Sequence, residues 1–200
     1  LYYGLTTWVD DTVGRLMANL AAHGLAEDTI VVFASDHGDN LGSHHAFNKG
    51  LLIEESIRVP LIFWGGLAPQ ANTAQVAQLI DIMPTLLEQC GAEVPDTVQG
   101  RALGPVLRGE RETLEENGAF IETSTGAIGL RTPDHLYGMQ LEKDLRTISN
   151  DGKCLYDLAA DPYEQRNLAG GTDTGLEADF AQQLEQWNAQ TPWLGEQNAG

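Results

Sequence analysis

Positive charge is the scarcest property of this sequence: 11 Lys and Arg stand against 29 Asp and Glu, a formal net charge of −18 with histidine neutral. A surface of that sign repels phosphate backbones and anionic lipid headgroups, so neither nucleic acid nor membrane is expected as a partner. Solubility is its plain consequence. Long apolar runs are lacking too: 30–34 and 61–64 are strand-sized, far below the ~18 residues of a membrane span. Cysteine is limited to Cys90 and Cys154, with no C-x-x-C pair. That excludes a disulfide-rich scaffold and predicts buried free thiols. The first residues, LYYGLTTWVDD, hold no initiator Met, basic stretch or signal-type apolar segment, so any export signal would precede residue 1. Apolar residues still make up 42 % of the 200, enough for a sizeable core and too many for a disordered tail.

The residues that are present follow an α/β rhythm. Leu5, Trp8, Val9, Val13, Leu16, Met17 and Leu20 recur at three- and four-residue steps, predicting a helix with one buried face that Gly24 stops. IVVFA (30–34) reads as a strand covered on both faces. VPLIFW (59–64) reads as a second buried strand, with Pro60 near its start where a missing N–H is tolerated. Between them lie a polar, Gly- and His-rich loop and a short helical stretch around 51–56. Residues 76–90 carry Val76, Leu79, Ile80, Met83, Leu86 and Leu87 at helical spacing; Pro84 bends that helix or starts a fresh turn, and Gly91 ends it. Residues 93–118 read as loop, acidic at Glu110, Glu112, Glu115 and Glu116. AFIETS, AIGLRT, HLYGMQL and KCLYDL then appear as short strand-forming runs between turn residues, which predicts an antiparallel sheet. A last helix over 176–190 aligns Leu176, Phe180, Leu184 and Trp187. The expected organisation is a larger α/β part over 1–115 and a small α+β part over 116–200.

Open α/β sheets gather ligands at the carboxyl ends of their strands, and SDHGDNLGSHHAFNKG begins at such an end. Asp36 and His37 can both reach one divalent ion, with Gly38 relieving the crowding of a tight turn. Lys49, thirteen positions after Asp36, offers a cation able to return to the same place. A metal plus a lysine suits a doubly charged oxyanion ester, because both neutralise charge that builds in the transition state. Singly, D-H-G is also a hydrophilic turn and Lys49 a surface lysine, and spacing alone leaves both readings open. Asp39 is expected to serve the turn, and Arg58 to pair with Glu54 or Glu55. Asp10 and Asp11 cannot chelate together, since neighbours on a helix diverge by about 100°. Asp11 is expected to pair with Arg15 instead.

SDHGDNLGSHHAFNKG followed by EESIRVPLIFWGG closely resembles the sulfatase family of the alkaline-phosphatase-like superfamily. WVDDTVGRLMANLAAHGLAEDTIVVFASDHG before it, DIMPTLLEQCG and QGRALGPVLRG after it, and LYDLAADPYEQRNLA near the end agree in order, so the resemblance runs from about Tyr2 to Ala169. It implies an α/β fold: part of an alkaline-phosphatase-like mixed sheet flanked by helices, plus a small C-terminal antiparallel α+β subdomain. It implies that Asp36 and His37 are the second pair of ligands for a divalent metal, Ca2+ first, with Mn2+ or Mg2+ as alternatives. It implies that Lys49 contacts a sulfate oxygen, as a substrate-binding and catalytic residue. His44 and His45 fall near the pocket; His44 is the candidate substrate contact, although on residue type both are polar loop histidines.

The resemblance also implies a formylglycine nucleophile, made from a Cys or Ser in a C/S-x-P/A-x-R setting. Neither QCGAE nor KCLYD supplies that setting, and the family's first aspartate pair and leaving-group histidine have no counterpart. The expectation is therefore the C-terminal portion of a sulfatase, inactive alone, with the N-terminal remainder of the enzyme as partner and a sulfate-ester small molecule or sugar as substrate. Two rivals stand beside it: a phosphodiesterase or phosphonate monoester hydrolase of the same superfamily, and a non-catalytic structural or binding unit.

Overall fold

The computed structural model describes residues 1–65, 72–149, 151–171 and 174–191. It has α/β character. The chain opens with α1 (Tyr2–Ala22), β1 (Val31–Ala34), α2 (Glu54–Ile57) and β2 (Leu61–Trp64). α3 (Ile82–Gln89) and the single turn α4 (Gly104–Leu107) come next. β3 (Ala119–Glu122), β4 (Ala127–Arg131), β5 (His135–Gln140), β6 (Cys154–Asp157) and α5 (Thr174–Gln190) complete it. β1 and β2 pair antiparallel, Val31 opposite Trp64. β3 to β6 form an antiparallel meander in chain order.

Both faces of the meander are apolar, and each has its own cover. Strand alternation sends Ile128, Leu130, Tyr137, Met139 and Leu155 to one side, where they pack with Phe180 and Leu184 of α5. Trp187 extends that stripe and stacks on Phe120 with ring centroids 5.2 Å apart. The other side gathers Leu136 with Leu52 and Leu158. Gly129 and Gly138 stand opposite one another on β4 and β5. A Cβ on Gly129 would come within 2.7 Å of the Leu52 side chain, and one on Gly138 within 2.2 Å. The paired glycines are thus a notch in the sheet that Leu52 fills.

The structure corrects several local expectations. α1 forms, but Leu5, Trp8, Val9 and Leu16 on its apolar stripe are exposed among the described residues, as are Ile62 and Trp64 of β2. Periodicity reports which face is able to bury; the covering surface has to come from elsewhere, and the described residues do not provide it. Asp11 and Arg15 form no ion pair among the described residues.

Residues 76–90 are not one helix either. The fully buried Asp81 carboxylate accepts the backbone N–H groups of Gln78 and Arg101. The Arg101 guanidinium lies 2.9 Å from it. This network opens a short turn, Leu79–Asp81, ahead of α3, and Pro84 sits in the first turn of α3, where its missing N–H is not needed. Arg101 also donates to the Glu116 and Val76 carbonyls, so the supposed loop 93–118 is tied down and includes α4. Cys90 is exposed rather than buried. Cys154 is half-buried, and burial, with Glu164 adding its charge, pushes its thiol up to about 11. No described helix is long and apolar enough to cross a membrane.

Two outcomes test this packing. Leu52→Ala should cost about 2–4 kcal/mol and Gly138→Ala about 1–3 kcal/mol in urea unfolding. The double variant should cost clearly less than their sum, because the smaller side chain makes room for the new methyl. At pH 8 an aromatic disulfide reagent should titrate Cys90 at once and Cys154 only on unfolding; equal rates would contradict the burial of Cys154.

Candidate functional site

The end of β1 delivers two donors into solvent. Asp36 Oδ1 accepts the His37 backbone N–H at 3.0 Å, and Asp36 Oδ2 lies 3.5 Å from His37 Nε2. His37 Nδ1 is 2.8 Å from the Gly38 carbonyl, so it carries the proton and leaves Nε2 as a lone-pair donor. The Asp36 side chain is 84 % exposed and that of His37 41 %, which leaves both free to bind. An imidazole nitrogen and a carboxylate oxygen placed this way fit a divalent ion, the group that the family resemblance implies.

Gly38 is required by packing. Its N–H donates to the Ser56 carbonyl at 2.8 Å, and a Cβ would sit 1.8 Å from the Glu55 carbonyl oxygen. Asn40, itself buried, accepts from the Ser56 hydroxyl at 2.7 Å. Asp39 caps the turn by accepting the Leu41 N–H. The loop then returns on itself: Asn40 N–H donates to the Asn48 carbonyl at 2.7 Å. On the other side of Lys49, the Gly50 carbonyl accepts the Thr125 hydroxyl at 2.6 Å. Both neighbours of Lys49 are thus held by hydrogen bonds, and its exposed ammonium has no partner among the described residues. Leu41, His44, His45 and Asn48 all adopt positive φ, an unusual density of strain for non-glycine residues.

Glu54, at the start of α2, anchors the chain just beyond this loop. Arg131 of β4 reaches its two carboxylate oxygens at 3.2 and 3.1 Å. Arg58 makes the expected contact with Glu54, at 3.5 Å, but 74 % of the Arg58 side chain is exposed. Sequence reading missed Arg131 because it lies on a strand far along the chain.

His44 turns its ring elsewhere. One nitrogen of His44, one oxygen of Glu55 and one of Glu164 lie within 4.8 Å of one another. Glu164 is 2 % exposed and takes φ 52° in the turn after Asp161 and Pro162, while its Oε2 accepts the Glu54 N–H at 2.9 Å. Burial, with Glu54, Glu55 and Asp161 nearby, pushes its carboxyl up to about 7 against the pull of that N–H. The Asp161 carboxyl is held low by the Arg166 and Gln165 N–H groups, which shape the turn. Glu55 and Glu164 were not anticipated as site residues; no local spacing links either to His44. Asp36, His37 and Lys49 are not part of this cluster.

In stability terms, Arg131→Met should cost about 3–5 kcal/mol, because a half-buried Glu54 loses its compensation. Arg58→Met should cost under about 1 kcal/mol. Equal losses in urea unfolding would show that the Glu54–Arg131 pair anchors nothing.

The Sulfatase family model matches residues 1–92. The chain is 31 % identical over 188 residues to the arylsulfatase of Clostridium perfringens, covering 92 % of this chain and 38 % of that protein. Among solved structures it is similar to BT4656, captured in complex with its substrate D-glucosamine-2-N,6-O-disulfate: TM-score 0.75, 30 % identity, 96 % of this chain and 39 % of that one. It is similar as well to the phosphonate monoester hydrolase of Agrobacterium radiobacter, at TM-score 0.76 and 28 % identity, with 94 % of this chain and 40 % of that one covered. The chain spans about two fifths of the length of the curated relatives it matches.

Proposed function

The chain belongs to the sulfatase family of the alkaline-phosphatase-like superfamily, and from that premise we propose that it supplies the metal-facing and oxyanion-facing part of a sulfuric ester hydrolase site. The observation that supports this is the backbone bond from Asn40 to Asn48, which brings the residue before Lys49 back to the stretch that follows Asp36 and His37. Asp36 and His37 Nε2 would hold a divalent cation, which when bound would supply positive charge toward the anionic ester. Lys49 binds a second oxygen through its unpaired ammonium and steadies the charge that grows there. The bonds at Asn48 and Gly50 fix the backbone from which that ammonium reaches. The formylglycine nucleophile comes from outside these residues. Residues 1–115 belong to the catalytic α/β domain and 116–200 form the subdomain that buttresses it. Sulfated sugars are the favoured substrate class, supported by the disulfated glucosamine bound to BT4656.

A second reading, phosphonate or phosphodiester hydrolysis, draws on the likeness to the Agrobacterium radiobacter enzyme. Both esters present a tetrahedral anion to the same donors. Turnover of paired aryl sulfate and aryl phosphonate substrates by the intact protein separates the two, the larger kcat/KM naming the reaction. In either case Lys49→Ala should lower kcat/KM by about 10²–10³ with the circular dichroism spectrum unchanged. A near-wild-type rate would remove Lys49 from the site.

A further inference from the structure

The cluster around His44 has donors that nothing among the described residues satisfies. His44 Nε2, Glu55 Oε2 and Glu164 Oε1 are each buried without a hydrogen-bond partner among the described residues. Glu164 is the most telling, because a carboxylate only 2 % exposed with one bare oxygen is costly to keep. Its turn and the loop of His44 both hold positive φ to face this point, His44 at 52° and Glu164 at 52°. Three converging donors from separate segments, two carboxylates and an imidazole, lack a positive partner.

We propose that His44, Glu55 and Glu164 form a second divalent-metal site, structural in role, that takes a borderline transition ion of the Zn2+ type. The mixed nitrogen and oxygen set favours such an ion over Ca2+ or Mg2+, which prefer oxygen alone. Ligand atoms around a tetrahedral Zn2+ stand about 3.3 Å apart at bond lengths near 2 Å. The observed spread is within 4.8 Å, so a bound ion would draw the three side chains together. The ion would staple three segments: the strained loop that ends at Lys49, α2 through Glu55, and the Asp161–Glu164 turn next to β6. It carries no reacting group and is separate from the pair at Asp36 and His37.

The test uses the intact protein, stripped with chelator and titrated with ZnCl2 by calorimetry, with thermal unfolding measured alongside. The Asp36→Asn/His37→Ala double variant isolates this site from the other. That variant should still bind one Zn2+ and gain thermal stability from it. Adding Glu164→Gln or Glu55→Gln should weaken that binding at least 100-fold and abolish the gain, with each variant's circular dichroism checked for folding. Co2+ in place of Zn2+ should give d–d absorption without a thiolate charge-transfer band, since Cys154 is not a ligand. Loss of all Zn2+ binding in the Asp36/His37 variant, binding indifferent to both glutamine substitutions, or a thiolate band would each overturn the site. None of these results depends on turnover, so failure of the sulfatase reading would leave this proposal standing and the reverse.

Discussion

The structure turns on how the segment after the candidate site loop seats against the C-terminal sheet. Leu52 enters the notch between Gly129 and Gly138, and two residues later Glu54 meets the Arg131 guanidinium. Burying one leucine contributes about 1.5–3 kcal/mol, and leaving Glu54 uncompensated would cost more than that. These contacts oppose a loop that stores strain: non-glycine residues at positive φ cost roughly 1–3 kcal/mol each, and the loop contains Leu41, His44, His45 and Asn48 in that region. The sheet, with α5 behind it, is the platform on which the loop conformation is held.

This coupling gives the C-terminal part a function without giving it a reacting group. Thr125 grips the Gly50 carbonyl beside Lys49, Arg131 holds Glu54, and Glu164 accepts the Glu54 N–H. Each comes from the meander or the turn after it, and each acts on backbone or carboxylate near the loop. The few cations are placed with economy: Arg101 inside the Asp81 network, Arg131 on Glu54, and Lys49 exposed without a partner among the described residues. A net charge of −18 does not attract anions over long range, so the proposed reading has to rest on local positive charge.

Much of the fold was legible from pattern. The four closely spaced β-runs, the helix carrying Phe180 and Leu184, and the stop signals at Gly24 and Gly91 all formed as read. The departures share one cause. Where a segment's state depends on a partner far along the chain, local spacing misjudges it: Asp81, satisfied by Arg101, interrupts an apparently continuous helix, and the α1 stripe stays exposed although its periodicity is sound. At the loop, the strand-end logic led to Asp36, His37 and Lys49. It could not lead to Glu164, whose relation to His44 exists only after the Asp161 turn is laid under the loop.

The sequence by itself determined the set of local conformations and the chemical inventory: alternation and helical spacing are properties of consecutive residues, and D-H-G with a later lysine is a property of order. The tertiary structure alone decided which groups share a point in space. The His37 tautomer is set by a carbonyl next door, but the burial of Glu164 and the meeting of His44 with two carboxylates arise from chain segments crossing. Proximity between distant residues is set by the global packing minimum, to which every contact contributes, and no window of sequence contains it.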